Sequence, residues 1–212
     1  MDYTSKIVDK PWGYEYLIYQ NQHVGLWYLN IEPGQSTSMH CHPNKNTGLI
    51  LLDGDLEVSF LNDSVRLNYP DKLMIRRGLF HSSRATGETA SVVLEIETPR
   101  DKHDLVRLED KYGREQEAYE GKNFERPKTE DCLWLEEPTD DVPLPYNFGR
   151  CRLTMERVRG KDELLEGRHD DDILIFLRGG IFKEDEKRLY VAQPGDVVVG
   201  KTLEKIATTF DR

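Results

Sequence analysis

Three of the six histidines fall in an arrangement that can bind a divalent cation. His40 and His42 are separated by one residue and follow a strand and the Pro33-Gly34 turn. In extended backbone, positions i and i+2 point to the same face, so two imidazoles can converge on one ion. His81 comes later, after KLMIRRGLF, where another strand can bring it alongside. Three neutral imidazoles hold Zn²⁺, Mn²⁺, Fe²⁺ or Ni²⁺ and leave coordination positions open for substrate or water. Read alone, the same residues also fit an ordinary loop pair and a satisfied core histidine. Glu95 and Glu97 alternate within SVVLEIE and share one face of that strand. They point either inward, as acid–base groups or a fourth ligand, or outward to solvent. Lys45, Arg76, Arg77 and Arg84 lie near the histidine loops and can bind phosphate or carboxylate, with Arg offering bidentate pairing. Glu95, Glu97 and Lys45 are the candidate catalytic residues, and Arg76 and Arg84 the candidate substrate-binding ones. Cys41, between the two paired histidines, faces the opposite way.

The elements that must position these groups are short strands. VGLWYLNIE (24–32) is aromatic and β-branched until Pro33-Gly34 stops it. GLILLDGDLEVSFL (48–61) divides at Asp53-Gly54-Asp55 into two strands, and SVRLNY, KLMIRR and ASVVLEIET continue the pattern. Many short strands with closely spaced turns predict a sandwich or barrel, not a βαβ fold. After Pro99 the apolar residues at 105, 106 and 108 predict a short helix ending near Gly113. Residues 115–147 read as a surface linker anchored by Trp134 and Leu135. A second β pattern starts near 148. Gly54 in LLDGDLEV and Gly179 in FLRGGIFK are 125 positions apart, as are Asp71 before KLMI and Asp196 before VVVG. The equal offset predicts an internal duplication whose second copy lacks the histidines.

Composition removes several function classes. With 212 residues, 29 Lys+Arg and 39 Asp+Glu, the net charge is −10, the wrong sign for general binding to nucleic acid or anionic membranes. No apolar run reaches a membrane span, and the N-terminal residues have no signal-peptide core. The three cysteines form no CxxC pair, so no disulfide framework or zinc ribbon is indicated. A cytoplasmic protein is expected.

The spacing Gly34-x5-His40-x-His42, then Gly54 after an apolar strand, then Gly78-x2-His81 resembles the two motifs of the cupin superfamily, whose fold is a jelly-roll barrel around a metal. PWGYE (11–15), PGQSTSMHCH (33–42), the Gly78-to-His81 stretch and LEIETPRDKHDLVRLEDKYGR (94–114) are similar to the C-terminal cupin of type II mannose-6-phosphate isomerases. That resemblance implies metal ligands at His40, His42, position 47 and His81. Position 47, a glutamate in that family, is Thr47 here. It implies a metal-dependent isomerase or epimerase acting on a sugar or sugar phosphate, and the threonine predicts little mannose-6-phosphate isomerase activity. Two other readings compete: a three-histidine Fe(II) oxygenase, and a non-catalytic sugar-binding or regulatory cupin. The expected architecture is all-β: a cupin barrel over 1–98, a helical and extended linker over 99–147, and a degenerate second cupin over 148–212, forming a homodimer.

Overall fold

The computed structural model describes residues 2–114, 124–183 and 189–209. The parts of the expected linker and second barrel that fall at 115–123, 184–188 and 210–212 lie outside the described residues. The strands of the first half are β1 (Lys6–Lys10), β2 (Gly13–Gln20), β3 (Gly25–Ile31), β4 (Met39–Cys41), β5 (Asn46–Asp53) and β6 (Asp55–Phe60). They continue as β7 (Ser64–Asn68), β8 (Lys72–Ile75), β9 (His81–Ala85), β10 (Ser91–Thr98), β11 (Val106–Glu109) and β12 (Glu125–Pro127). These form two antiparallel sheets, one ordered β12-β1-β2-β3-β10-β5-β8 and the other β11-β4-β9-β6-β7. From β3 to β12 the chain passes between the sheets at every connection except β6–β7, which makes a jelly-roll barrel.

The apolar runs in β5 and β10 are continuous because both faces of the larger sheet are buried. Trp27, Leu29, Leu49, Leu51 and Val93 face the barrel interior. Leu26, Ile50, Leu52, Leu94 and Ile96 face outward into a second core, which Leu135, Met155 and Val197 from the C-terminal half cover. Strand alternation therefore fixes the interior side of β10 as Val93, Glu95 and Glu97. The barrel interior is apolar around Leu51, Leu56, Val58 and Ala85, and charged where Glu95 and Glu97 lie.

Two expectations change. The predicted helix before Gly113 is strand β11, antiparallel to β4, with Val106 opposite Cys41 and Arg107 opposite His40. The open edge of β4 offers ladder hydrogen bonds that outweigh the weak helical periodicity of that segment. Within 115–147, Leu135 is buried and its N–H donates to the Ile18 carbonyl at 2.8 Å, whereas Trp134 is exposed under the Lys128 ammonium.

The C-terminal half contains β13 (Leu144–Phe148), β14 (Cys151–Met155), α1 (Lys161–Leu165), β15 (Ile173–Ile175), β16 (Ile181–Lys183), β17 (Leu189–Ala192), β18 (Val197–Val199) and α2 (Gly200–Thr209). Its pairings repeat those of the barrel at one offset. Gly48↔Met74, Leu49↔Leu73 and Ile50↔Lys72 recur as Ile173↔Val199, Leu174↔Val198 and Ile175↔Val197, each 125 positions on. The bond from Leu51 N–H to the Asp71 carbonyl recurs from Phe176 to Asp196. So does the turn in which the Asp71 carboxylate accepts from Asn68 N–H, repeated by Asp196 and Gln193. The repeat then stops. Where the offset would place a counterpart of β9, α2 packs Leu203 against Ala192 and Val198, and no second closed barrel is present among the described residues.

Candidate metal centre

The smaller sheet brings the three histidines together. His40 on β4 is the cross-strand partner of His81 on β9. His42 follows two residues later, where its carbonyl accepts from Gly78 N–H at 2.8 Å. Their ring centroids lie 4.5–5.5 Å apart, and one nitrogen from each lies within 4.8 Å of the others.

Each ring is fixed from behind by a backbone carbonyl. Nδ1 donates to the Ser38 carbonyl in His40 at 2.8 Å, to the Asp104 carbonyl in His42 at 2.6 Å, and to the Leu79 carbonyl in His81 at 3.0 Å. A carbonyl only accepts, so Nδ1 carries the proton and the lone pair is on Nε2. This is the tautomer a cation needs, and such outer contacts orient ligating rings. Nε2 of His42 is buried without a hydrogen-bond partner, an unmet acceptor that a bound ion satisfies. The site fits a divalent cation. Thr47 Oγ1 is also buried and unpartnered, on β5 directly across from Glu97.

Burial holds all three imidazoles neutral: it is the main cause of the lowered pKa in each, with the neighbouring rings adding to it in His40 and the Lys45 charge in His42 and His81. His42 is held down at about 2. The unfolded chain takes up these protons near 6.5 while the folded chain resists, so their contribution to stability is present above that pH and is lost as pH falls through it. Metal-free protein is expected to lose roughly 1.4 kcal/mol of stability per resisting histidine for each pH unit below about 6. Urea melts at pH 7, 6 and 5 check this, and an unchanged midpoint would contradict the neutral-ring assignment.

The cavity beside His40 and His42 is lined by a buried network of lysines and carboxylates. Lys45 Nζ donates to Glu97 at 2.6 Å and to the Asp101 carbonyl at 2.9 Å. Glu97 also accepts from Trp27 Nε1 at 3.1 Å. Lys102 lies 3.0 Å from Glu95, 3.2 Å from Glu97 and 3.3 Å from Glu15, with Lys10 3.6 Å from Glu15. Burial raises the Glu95 carboxyl, outweighing the Lys102 charge, and Glu97 pushes the same way. Burial opposes the charge on Lys102, but the Glu15, Glu95 and Glu97 carboxylates raise it well above the ordinary lysine value.

Glu95, Glu97 and Lys45 thus share the cavity with His40 and His42. Arg76 and Arg84 do not line it. Arg76 follows the inward Ile75 and is exposed. Arg84 alternates with the buried Ser83 and Ala85, which puts it on the outer face of β9. Arg107 and Arg114 line the cavity instead. They arrive with Lys102, Asp104 and Leu105 on the segment expected to be a helix, and only its pairing with β4 gives them this place. Asp104 secures the fit. Its carboxylate accepts from Asn44 N–H, Asn44 Nδ2 and Lys45 N–H at 2.8–3.0 Å, while its carbonyl holds His42. Asp104→Ala is expected to lower metal affinity about 10–100-fold, read by competition with a chromogenic chelator.

No family model matches the chain. The tetracenomycin polyketide synthase protein TcmJ of Streptomyces glaucescens is 33% identical over 72 residues, 34% of this chain and 48% of that protein. The chain therefore spans about half the length of the curated relative it matches. Among solved structures, KdgF from Halomonas sp. is 18% identical with a TM-score of 0.41, covering 43% of this chain and 84% of that one. The Lactobacillus farciminis oxalate decarboxylase formate complex is 18% identical, TM-score 0.44, over 49% and 33%. The Schizosaccharomyces pombe Cnp3 cupin domain is 12% identical, TM-score 0.39, over 41% and 64%. Strand order and the three-histidine group, taken from this chain itself, define a jelly-roll barrel with a candidate metal centre. No helix is long and apolar enough to cross a membrane.

Proposed function

We propose that this chain is a metal-dependent cupin that isomerises or epimerises a small carbohydrate, a sugar or sugar phosphate. The observation that carries the reading is a carbonyl-oriented histidine trio, two of whose rings, His40 and His42, line one cavity with the buried carboxylate of Glu95, whose pKa burial raises. A bound divalent ion would polarise a carbonyl or hydroxyl oxygen of the substrate. For isomerisation, Glu95 would take the proton from the hydroxyl-bearing carbon beside that carbonyl and return it to the carbonyl carbon, while the hydroxyl proton passes to the carbonyl oxygen, a role its raised pKa suits. Lys102 would stabilise the charged form of Glu95. Lys45 and Trp27 would keep Glu97 fixed as the counter-charge. Solvent-deuterium incorporation into a panel of aldose and ketose phosphates, followed by NMR with Zn²⁺, Mn²⁺, Fe²⁺ or Co²⁺ supplied, tests this. Glu95→Gln is expected to slow exchange about 10²–10⁴-fold. No exchange by metal-loaded protein on any substrate would favour the sugar-binding or regulatory reading. Among the described residues no carboxylate joins the histidine group, which keeps the Fe(II) oxygenase as the second reading, distinguished by oxygen consumption of iron-loaded protein.

The second half fits the same reading as a degenerate, metal-free copy of the barrel, supported by the shared pairing offset. It covers the outer face of the larger sheet, so the proposed homodimer would form elsewhere, at the sheet edges.

A further inference from the structure

The charge of the histidine cavity runs against that of the protein around it. Five lining side chains are cationic, Lys10, Lys45, Lys102, Arg107 and Arg114, against the carboxylates of Glu15, Glu95 and Glu97. Asp110, paired with Arg114 through two bonds of 2.9 Å, narrows the excess to one positive charge. The chain as a whole carries −10. A divalent ion on three neutral imidazoles adds two more positive charges, and among the described residues no carboxylate joins the histidine group to offset them. The nearby carboxylates are committed elsewhere: Glu97 to Lys45, Lys102 and Trp27, and Glu95 to Lys102. One of the cations is set beside the histidine group by strand register. Arg107 pairs with His40, which pairs with His81, and cross-strand partners project from the same face of a sheet. A cleft lined by one sign of charge concentrates ligands of the other.

We propose, resting on the metal-dependent reading above, that the cavity takes its substrate as an oxyanion, a carboxylate or phosphate group recognised jointly by the histidine-bound cation and the Arg107 guanidinium. The anion supplies the negative charge that the protein's own ligand set lacks. Because Arg pairs with both groups in the same forked geometry, the two sources are separated by experiment. Full-length protein loaded with Co²⁺ is titrated with D-gluconate, glucose 6-phosphate and glucose, followed by calorimetry and by the visible absorption of the cobalt. At least one anion is expected to bind about tenfold or more tighter than glucose and to perturb the cobalt bands; which one does so identifies the group. Arg107→Gln is expected to weaken that anion about 10–100-fold with cobalt stoichiometry unchanged. Leu105→Asp, which adds a negative charge to the lining without removing an ion pair, is expected to weaken it as well. Glucose binding as tightly as both anions, or anion affinity unchanged in both variants, overturns the proposal while the metal reading stands. Failure of the wild-type protein to take up cobalt overturns both.

Discussion

Replacing His42 and His81 together by alanine is expected to take bound metal from about one ion per chain to below about a tenth, since one imidazole alone is no site for a divalent ion. The three rings contribute unequally to the fold, which makes the result readable. His42 and His81 are buried and His40 is half-buried, and all three Nδ1 atoms bond to backbone carbonyls. Elemental analysis of purified protein, with circular dichroism to confirm the β content, gives the answer. Full occupancy in the double variant would show that the ion sits elsewhere.

Glu97→Leu is expected to cost about 3–5 kcal/mol, because it leaves Lys45 charged in the barrel interior without its carboxylate. Lys45 and Glu97 are each only 1% exposed, so water cannot take over. The partner experiment is the double variant Lys45→Met, Glu97→Leu, which removes one charge of each sign and keeps the volume. It is expected to recover most of the loss, since an intact buried ion pair contributes little beyond its apolar replacement. Part of the deficit stays, as the Trp27 indole N–H loses its acceptor. Lys102 retains Glu15 and Glu95 in either variant. Denaturant midpoints and slopes for the two variants check this; equal losses in single and double would mean that Lys45 and Glu97 are not coupled.

The barrel and the histidines were legible in the sequence because each depends on local pattern. Period-two alternation, the Asp53-Gly54 and Pro33-Gly34 turns and the HxH spacing are all read within a few residues. Alternation also put Glu95 and Glu97 on one face, and burial of the outer face by residues 133–197 is what decides that this face is the interior. Arg107, Lys102 and Asp104 were out of reach for the opposite reason. Their position follows from pairing of β11 with the distant strand β4, Arg107 with His40 and Val106 with Cys41, and nothing in the local pattern of 99–114 signals it. Arg76 and Arg84 lie outside the histidine cavity, because nearness in sequence to the histidine loops does not give the face on which a side chain emerges.

The carbonyl of Asp104 behind His42 ties the metal centre to the packing of a segment 62 residues downstream. Two equilibria that look separate, ion binding and docking of residues 101–114 onto β4, then share one free energy. Whatever factor docking adds to metal affinity, the ion must return to docking, since linkage between two binding events is reciprocal. Metal at about a hundred times its dissociation constant would hold the docked form by up to about 2.7 kcal/mol. A bound ion would thereby act as a clasp, and the cavity wall carrying Lys102 and Arg107 would be most firmly closed with the cation in place.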